Sequence, residues 1–84
     1  MKIYKYHGLH NICGKRIRLA REKLGLNQSQ LAARLQVEGI QLDQKAISRI
    51  ETGFRVVADY ELFYLAKVLG ADIPWLLSGE GPDG

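Results

Sequence analysis

A chain of 84 residues with 46% apolar and 25% charged side chains has the composition of one small globular domain, not of a disordered segment. It has no room for a catalytic domain joined to a regulatory one, so a multi-substrate enzyme is excluded, and a one-site enzyme, a binding module or a small interaction protein remain. The net charge of +3 is unevenly spread, at +6 over residues 1–23, +1 over 24–58 and −4 over 59–84. A basic front and an acidic back suit a molecule that orients in the field of a nucleic acid, though a solvated basic helix face explains the same charges.

Residues 1–13 lack a helical period and read as an N-terminal arm. Ile3 to Tyr6 suits an extended segment, followed by a turn at Gly8. Lys2, Tyr4, Lys5 and Tyr6 make this arm basic and aromatic. Such an arm packs back or stays disordered, or contacts DNA, or exchanges between subunits. His7, His10 and Cys13 are spaced three apart, which invites a metal. Structural zinc takes four ligands and no second cluster is present, so no metal or other cofactor is expected. Cys13, the single cysteine, excludes an intrachain disulfide and suits a reducing cytosol. With no signal-like leader and no membrane-length apolar run, a cytoplasmic protein without a membrane partner is expected.

Helix periodicity starts at Gly14. Ile17, Ala20, Arg21 and Leu24 form one stripe of a first helix, 14–23, stopped by Gly25. Asn27 with Gln30 predicts a capping box for a second helix whose apolar face is Leu31, Ala32 and Leu35. That helix extends at least to Gln36, and Gly39 breaks it. Asp43 caps a third helix, 44–51, with Ile47 and Ile50 inward and Gln44, Lys45, Ser48 and Arg49 outward. Asp59 is the expected cap of a fourth, with Leu62, Leu65, Ala66 and Leu69 in its core stripe. Asp72 and Pro74 open a short fifth helix through Leu77, in which Trp75 packs inward. The expected layout is arm 1–13, all-α five-helix domain 14–77 and flexible tail 78–84.

Residues 27–53 carry the functional signal. Two short helices follow each other closely, and the second presents long donors. Arg and Lys suit guanine edges in the major groove, and Gln suits adenine. The stretch resembles the helix-turn-helix of the phage repressor and Cro family, the Xre type. The matching residues are Asn27-Gln28-x-Gln30-Leu31-Ala32 and Ile47-Ser48-Arg49-Ile50-Glu51-x-Gly53. Flanking matches are Arg21-x-x-Leu24-Gly25-Leu26, Leu65-Ala66-x-x-Leu69-Gly70 and Trp75-Leu76-Leu77.

The resemblance implies that Gln44, Lys45, Ser48 and Arg49 read bases. It implies that Asn27, Gln28 and Arg55 contact the DNA backbone, and that Arg21 and Glu51 form an internal ion pair. It also implies a double-stranded DNA ligand and a role as transcriptional repressor. A single such domain covers little DNA, so a homodimer is expected, and with no room for a ligand domain any effector is expected to be another protein. Phe54 departs from the family, which has a polar or basic residue there. The link from Leu35 to Asp43 is about five residues longer than the family's short turn, with Ile40 or Leu42 filling the apolar turn position. No phosphate loop, metalloprotease motif or nucleophile–base set is present, so an enzyme is not expected. The competing class is a protein-interaction module of the same fold, antitoxin-like or adaptor-like.

Overall fold

A computed structural model describes residues 4–81. Five helices follow in order: α1 (Gly14–Lys23), α2 (Gln28–Val37), α3 (Gln44–Glu51), α4 (Asp59–Leu69) and α5 (Ile73–Ser78). Every helix sends a fully buried side chain to one core: Ile17 from α1, Leu31 and Leu35 from α2, Ile47 and Ile50 from α3, Leu65 and Leu69 from α4, and Leu76 from α5. The stripes read at helical spacing therefore meet, with Leu62 and Trp75 packed half-buried against the cluster, except at Leu24, which caps the end of α1 and is exposed.

The caps explain most boundaries. Asn27 Oδ1 accepts from the Gln30 N–H and Gln30 Oε1 accepts from the Asn27 N–H, both at 2.8 Å. Asp43 Oδ1 accepts from the Ala46 N–H at 2.8 Å. The start of α4 differs from expectation. Ala58, not Asp59, is the N-cap, and the Glu61 carboxylate reaches back to its N–H at 3.0 Å. Asp59 instead sits in the first turn, where its charge complements the positive end of the helix dipole. Asp72 holds the cap position of α5 without a side-chain cap bond. The α5 helix runs one residue past Leu77 to Ser78, whose hydroxyl donates to the Pro74 carbonyl at 3.0 Å. The remainder of the expected tail from 82 onward lies outside the described residues.

The lengthened α2–α3 connection is an ordered bend. Gly39 takes a φ of +83°, the Ile40 N–H returns to the Leu35 carbonyl at 2.9 Å, and the Leu42 N–H donates to the Ile40 carbonyl at 3.2 Å. Ile40 and Leu42 are both buried, so the bend has two apolar anchors, not one. Lys67 of α4 donates to Glu38 at 2.8 Å and ties down the end of α2.

The N-terminal segment folds back on the end of α3. Tyr6 and Leu9 exchange backbone bonds of 2.7 and 2.9 Å around His7 and Gly8, whose φ values of 49° and 79° suit a type I′ turn. The His10 N–H then donates to the Gly53 carbonyl at 2.8 Å. Asn11 is the clamp: its Nδ2 donates to the Ile50 carbonyl at 3.0 Å and to the Arg55 carbonyl at 2.8 Å. Its Oδ1 accepts from the Gly14 N–H at 2.8 Å, satisfying a free donor of the first turn of α1. Gly14 has no room for a side chain, since a Cβ there would collide with the Ile50 carbonyl oxygen. Cys13 is buried, and burial pushes its thiol up to about 11, which keeps it protonated and apolar in behaviour. No group of three or more metal-ligating residues occurs among the described residues. Lys2 and Ile3 of the arm lie outside them.

Asn11→Ala removes one acceptor and both donated bonds from a part-buried junction. It is expected to lower unfolding stability by about 1–3 kcal/mol, read from urea or thermal unfolding.

Candidate nucleic-acid interface

A polar chain fixes α2 against α3. Arg21 donates from Nε to Glu51 Oε2 at 2.7 Å, from Nη2 to Glu51 Oε1 at 2.9 Å and from Nη1 to the Leu26 carbonyl at 2.8 Å. The side chains are 11% and 3% exposed, so this is a buried, two-pronged pair with its hydrogen-bonding capacity well used. The bond to Glu51 holds Arg21 charged against the opposing effect of its burial. Gln28 Nε2 donates to the same Glu51 Oε1 at 3.0 Å, and Gln44 Nε2 donates to Gln28 Oε1 at 2.7 Å. The expected internal pair therefore forms and extends outward, through two glutamines, to the first residue of α3.

The outward residues of α3 are not equivalent. Gln44, Lys45 and Arg49 are exposed, whereas Ser48 is half-buried and its carbonyl accepts from the Thr52 hydroxyl at 3.0 Å. Gln44 is oriented by Gln28. Lys45 and Arg49 share a shallow groove with Asp43, Ala46, Phe54 and Arg55. Asn27 is exposed at the start of α2, with its oxygen committed to the cap.

Arg55, expected at the DNA backbone, is turned toward α4. Its Nη1 and Nη2 donate to Glu61 Oε1 and Oε2 at 2.9 and 3.1 Å, and Nη1 also reaches the Val56 carbonyl at 2.9 Å. It clasps the loop after α3 to the next helix while staying one-third exposed. Two residues that shape this region carried no assigned role in the sequence reading. Asn11 had a signal, since an Asn shortly before a helix is a cap candidate. Glu61 had a weaker one, a Glu at the third helical position without a Ser or Thr before it.

Residues 17–76 match the helix-turn-helix family model. The chain belongs to the helix-turn-helix family of phage repressor and Cro type, a family of DNA-binding transcription regulators and not of enzymes. Among solved structures it is similar to the P22 c2 repressor protein in complex with synthetic operator 9T in the presence of Tl+. That match has 30% identity and a TM-score of 0.69, and it covers 83% of this chain and 98% of the repressor chain. No curated protein matches the chain in sequence. None of the helices among the described residues is long and apolar enough to cross a membrane.

Arg21→Ala leaves Glu51 buried without its main partner. It is expected to cost about 3 kcal/mol or more of stability, and Arg21→Ala with Glu51→Ala should cost less than the sum of the two singles. Urea unfolding of the four proteins measures this coupling.

A second expectation concerns acid. Burial alone would raise the Glu61 carboxyl, but the Arg55 fork and the Ala58 N–H outweigh it and hold it below the usual carboxylate range. A carboxylate with a depressed folded pKa adds stability above its unfolded pKa, and that stability is lost as pH falls through the folded value. Glu61→Gln should therefore be less stable than wild type at neutral pH and converge with it below about pH 4, in unfolding curves taken across pH.

Proposed function

We propose that this protein is a sequence-specific double-stranded DNA-binding repressor that acts as a homodimer in the cytoplasm. The observation that carries the reading is the continuous bonded path from Arg21 through Glu51 and Gln28 to Gln44. It fixes the angle between α2 and α3 with three exposed long donors, Gln44, Lys45 and Arg49, on α3. A relative with this fold, seen on its operator, supports the same use here.

In this mechanism α3 enters the major groove. Gln44, Lys45 and Arg49 read base edges, with Ser48 in a lesser role. The amino end of α2, with Asn27 and Gln28, meets a phosphate, where free N–H groups and the helix dipole attract the anion. Arg55 serves the backbone indirectly, by holding the loop 52–57 in place, and its exposed third remains available to a phosphate. One domain covers one half-site, so a dimer on a near-palindrome is the economical arrangement, with centres about 34 Å apart. Exposed Leu19, which shares a shallow pocket with Ala20 and half-buried Trp75, offers an apolar face for that contact. Occupancy of the operator excludes polymerase, and release falls to a protein effector.

Selection from a random duplex pool, followed by affinity measurements over a salt series, tests the reading. Specific binding should weaken with salt at a log–log slope near −0.9 per phosphate neutralised. A protein-interaction module would select no common sequence. Arg49→Ala and Gln44→Ala should each relax discrimination by about 1–3 kcal/mol at one base step. Gln28→Ala should weaken binding to every duplex and also relax the step read by Gln44, because it frees that side chain, while leaving the Arg49 step intact. Equal discrimination profiles for Arg49→Ala and Gln28→Ala would refute this placement of α3.

A further inference from the structure

Phe54 is 68% exposed and stands at the carboxyl end of the candidate reading helix. The backbone that carries it is fixed. Gly53 turns the chain at a φ of +84°, and the Phe54 N–H closes onto the Arg49 carbonyl at 2.8 Å. Behind the turn, the His10 N–H and Asn11 Nδ2 hold the Gly53 and Arg55 carbonyls. The ring contributes nothing to the buried core. It lines instead a shallow groove with Asp43, Lys45, Ala46, Arg49 and Arg55. An isolated apolar side chain on a surface needs no explanation by itself. This one lies in the same groove as two of the three exposed base-reading candidates.

The chemistry of the major groove limits what such a ring can meet. Base edges there present donors and acceptors, with one apolar exception, the 5-methyl group of thymine. An aromatic ring carried on a fixed backbone and sharing its groove with the long cations Lys45 and Arg49 fits that group. The cations reach neighbouring base edges or phosphates, and the ring covers the methyl and excludes water from it. The Ala46 methyl completes the apolar floor.

We propose that Phe54 is a specificity-determining residue that recognises the 5-methyl group of one thymine in each half-site. The inference rests on the DNA-binding reading above and adds a contact that a polar or basic side chain at this position would not make.

The test starts from a duplex that the wild-type protein binds specifically. Each thymine of a half-site is replaced in turn by deoxyuridine, which lacks only the methyl group. Affinities are measured for wild type, Phe54→Ala and Phe54→Leu. One thymine should stand out, its demethylation weakening wild type about fourfold, the worth of burying one methyl group. The same replacement should leave Phe54→Ala unchanged and affect Phe54→Leu by an intermediate amount. Because the ring is exposed, unchanged melting temperatures should confirm that the variants fold. The proposal is overturned if no thymine distinguishes wild type from Phe54→Ala, or if one demethylation weakens both equally. If wild type selects no duplex, the DNA-binding reading itself fails. If it selects one and the uracil scan is flat, only the Phe54 contact fails.

Discussion

Arg21 closes one edge of its guanidinium on Glu51, through Nε and Nη2, and a third donor on the Leu26 carbonyl, inside a domain with little other polar interior. A buried ion pair of this kind is a poor source of stability, because the desolvation of two charges offsets most of their attraction. Its value here is geometric. Glu51 ends α3, Arg21 sits in the last turn of α1, and Leu26 leads into α2. The pair thus sets three helices in one mutual orientation. Gln28 and Gln44 inherit their positions from it, so the exposed face of α3 is ordered from the inside outward.

A second constraint acts at the other end of α3. The segment His10–Gly14 lies ahead of the family match at 17–76, yet it closes on the loop that follows α3. Asn11 spans from the start of α1 to the Ile50 and Arg55 carbonyls, and Gly14 lets the two backbones approach. Arg55 and Glu61 then tie the same loop to α4. Helix α3 is gripped at its amino end by glutamines and at its carboxyl end by the N-terminal segment. Between these grips, the lengthened α2–α3 bend is anchored by Ile40, Leu42 and the Glu38–Lys67 pair. It adds chain without adding play.

Local signals in the sequence located the elements well. Asn27 with Gln30, Asp43, Gly39 and Gly53 each act within four residues of their targets, and the structure uses them as their chemistry suggests. The cap of α4 lies one residue before Asp59, at Ala58, which has no side-chain acceptor to announce it. The acceptor comes from Glu61, a turn further on. The partners of Asn11 lie 39 and 44 positions away, and no periodicity or cap rule links such distant residues. Arg55 shows a related limit. Its charge was legible and suggested an outward role, but its orientation depends on where Glu61 emerges from α4. For the candidate site, residue type was readable from the chain, and commitment of each side chain was not. The Gln28–Gln44 bond and the clasp on Arg55 both required the packed helices.

The bond between Gln44 and Gln28 has a consequence for how such a surface can change over time. Gln44 is joined to the framework, so a substitution there disturbs a side chain on another helix and, through it, the buried carboxylate. Lys45, Arg49 and Phe54 hang from the framework by their backbones alone. On the proposed use of this face, target preference varies by single substitutions at these three positions and only by linked substitutions at Gln44. The face therefore divides into a part that can diversify by single steps and a part that must change in concert.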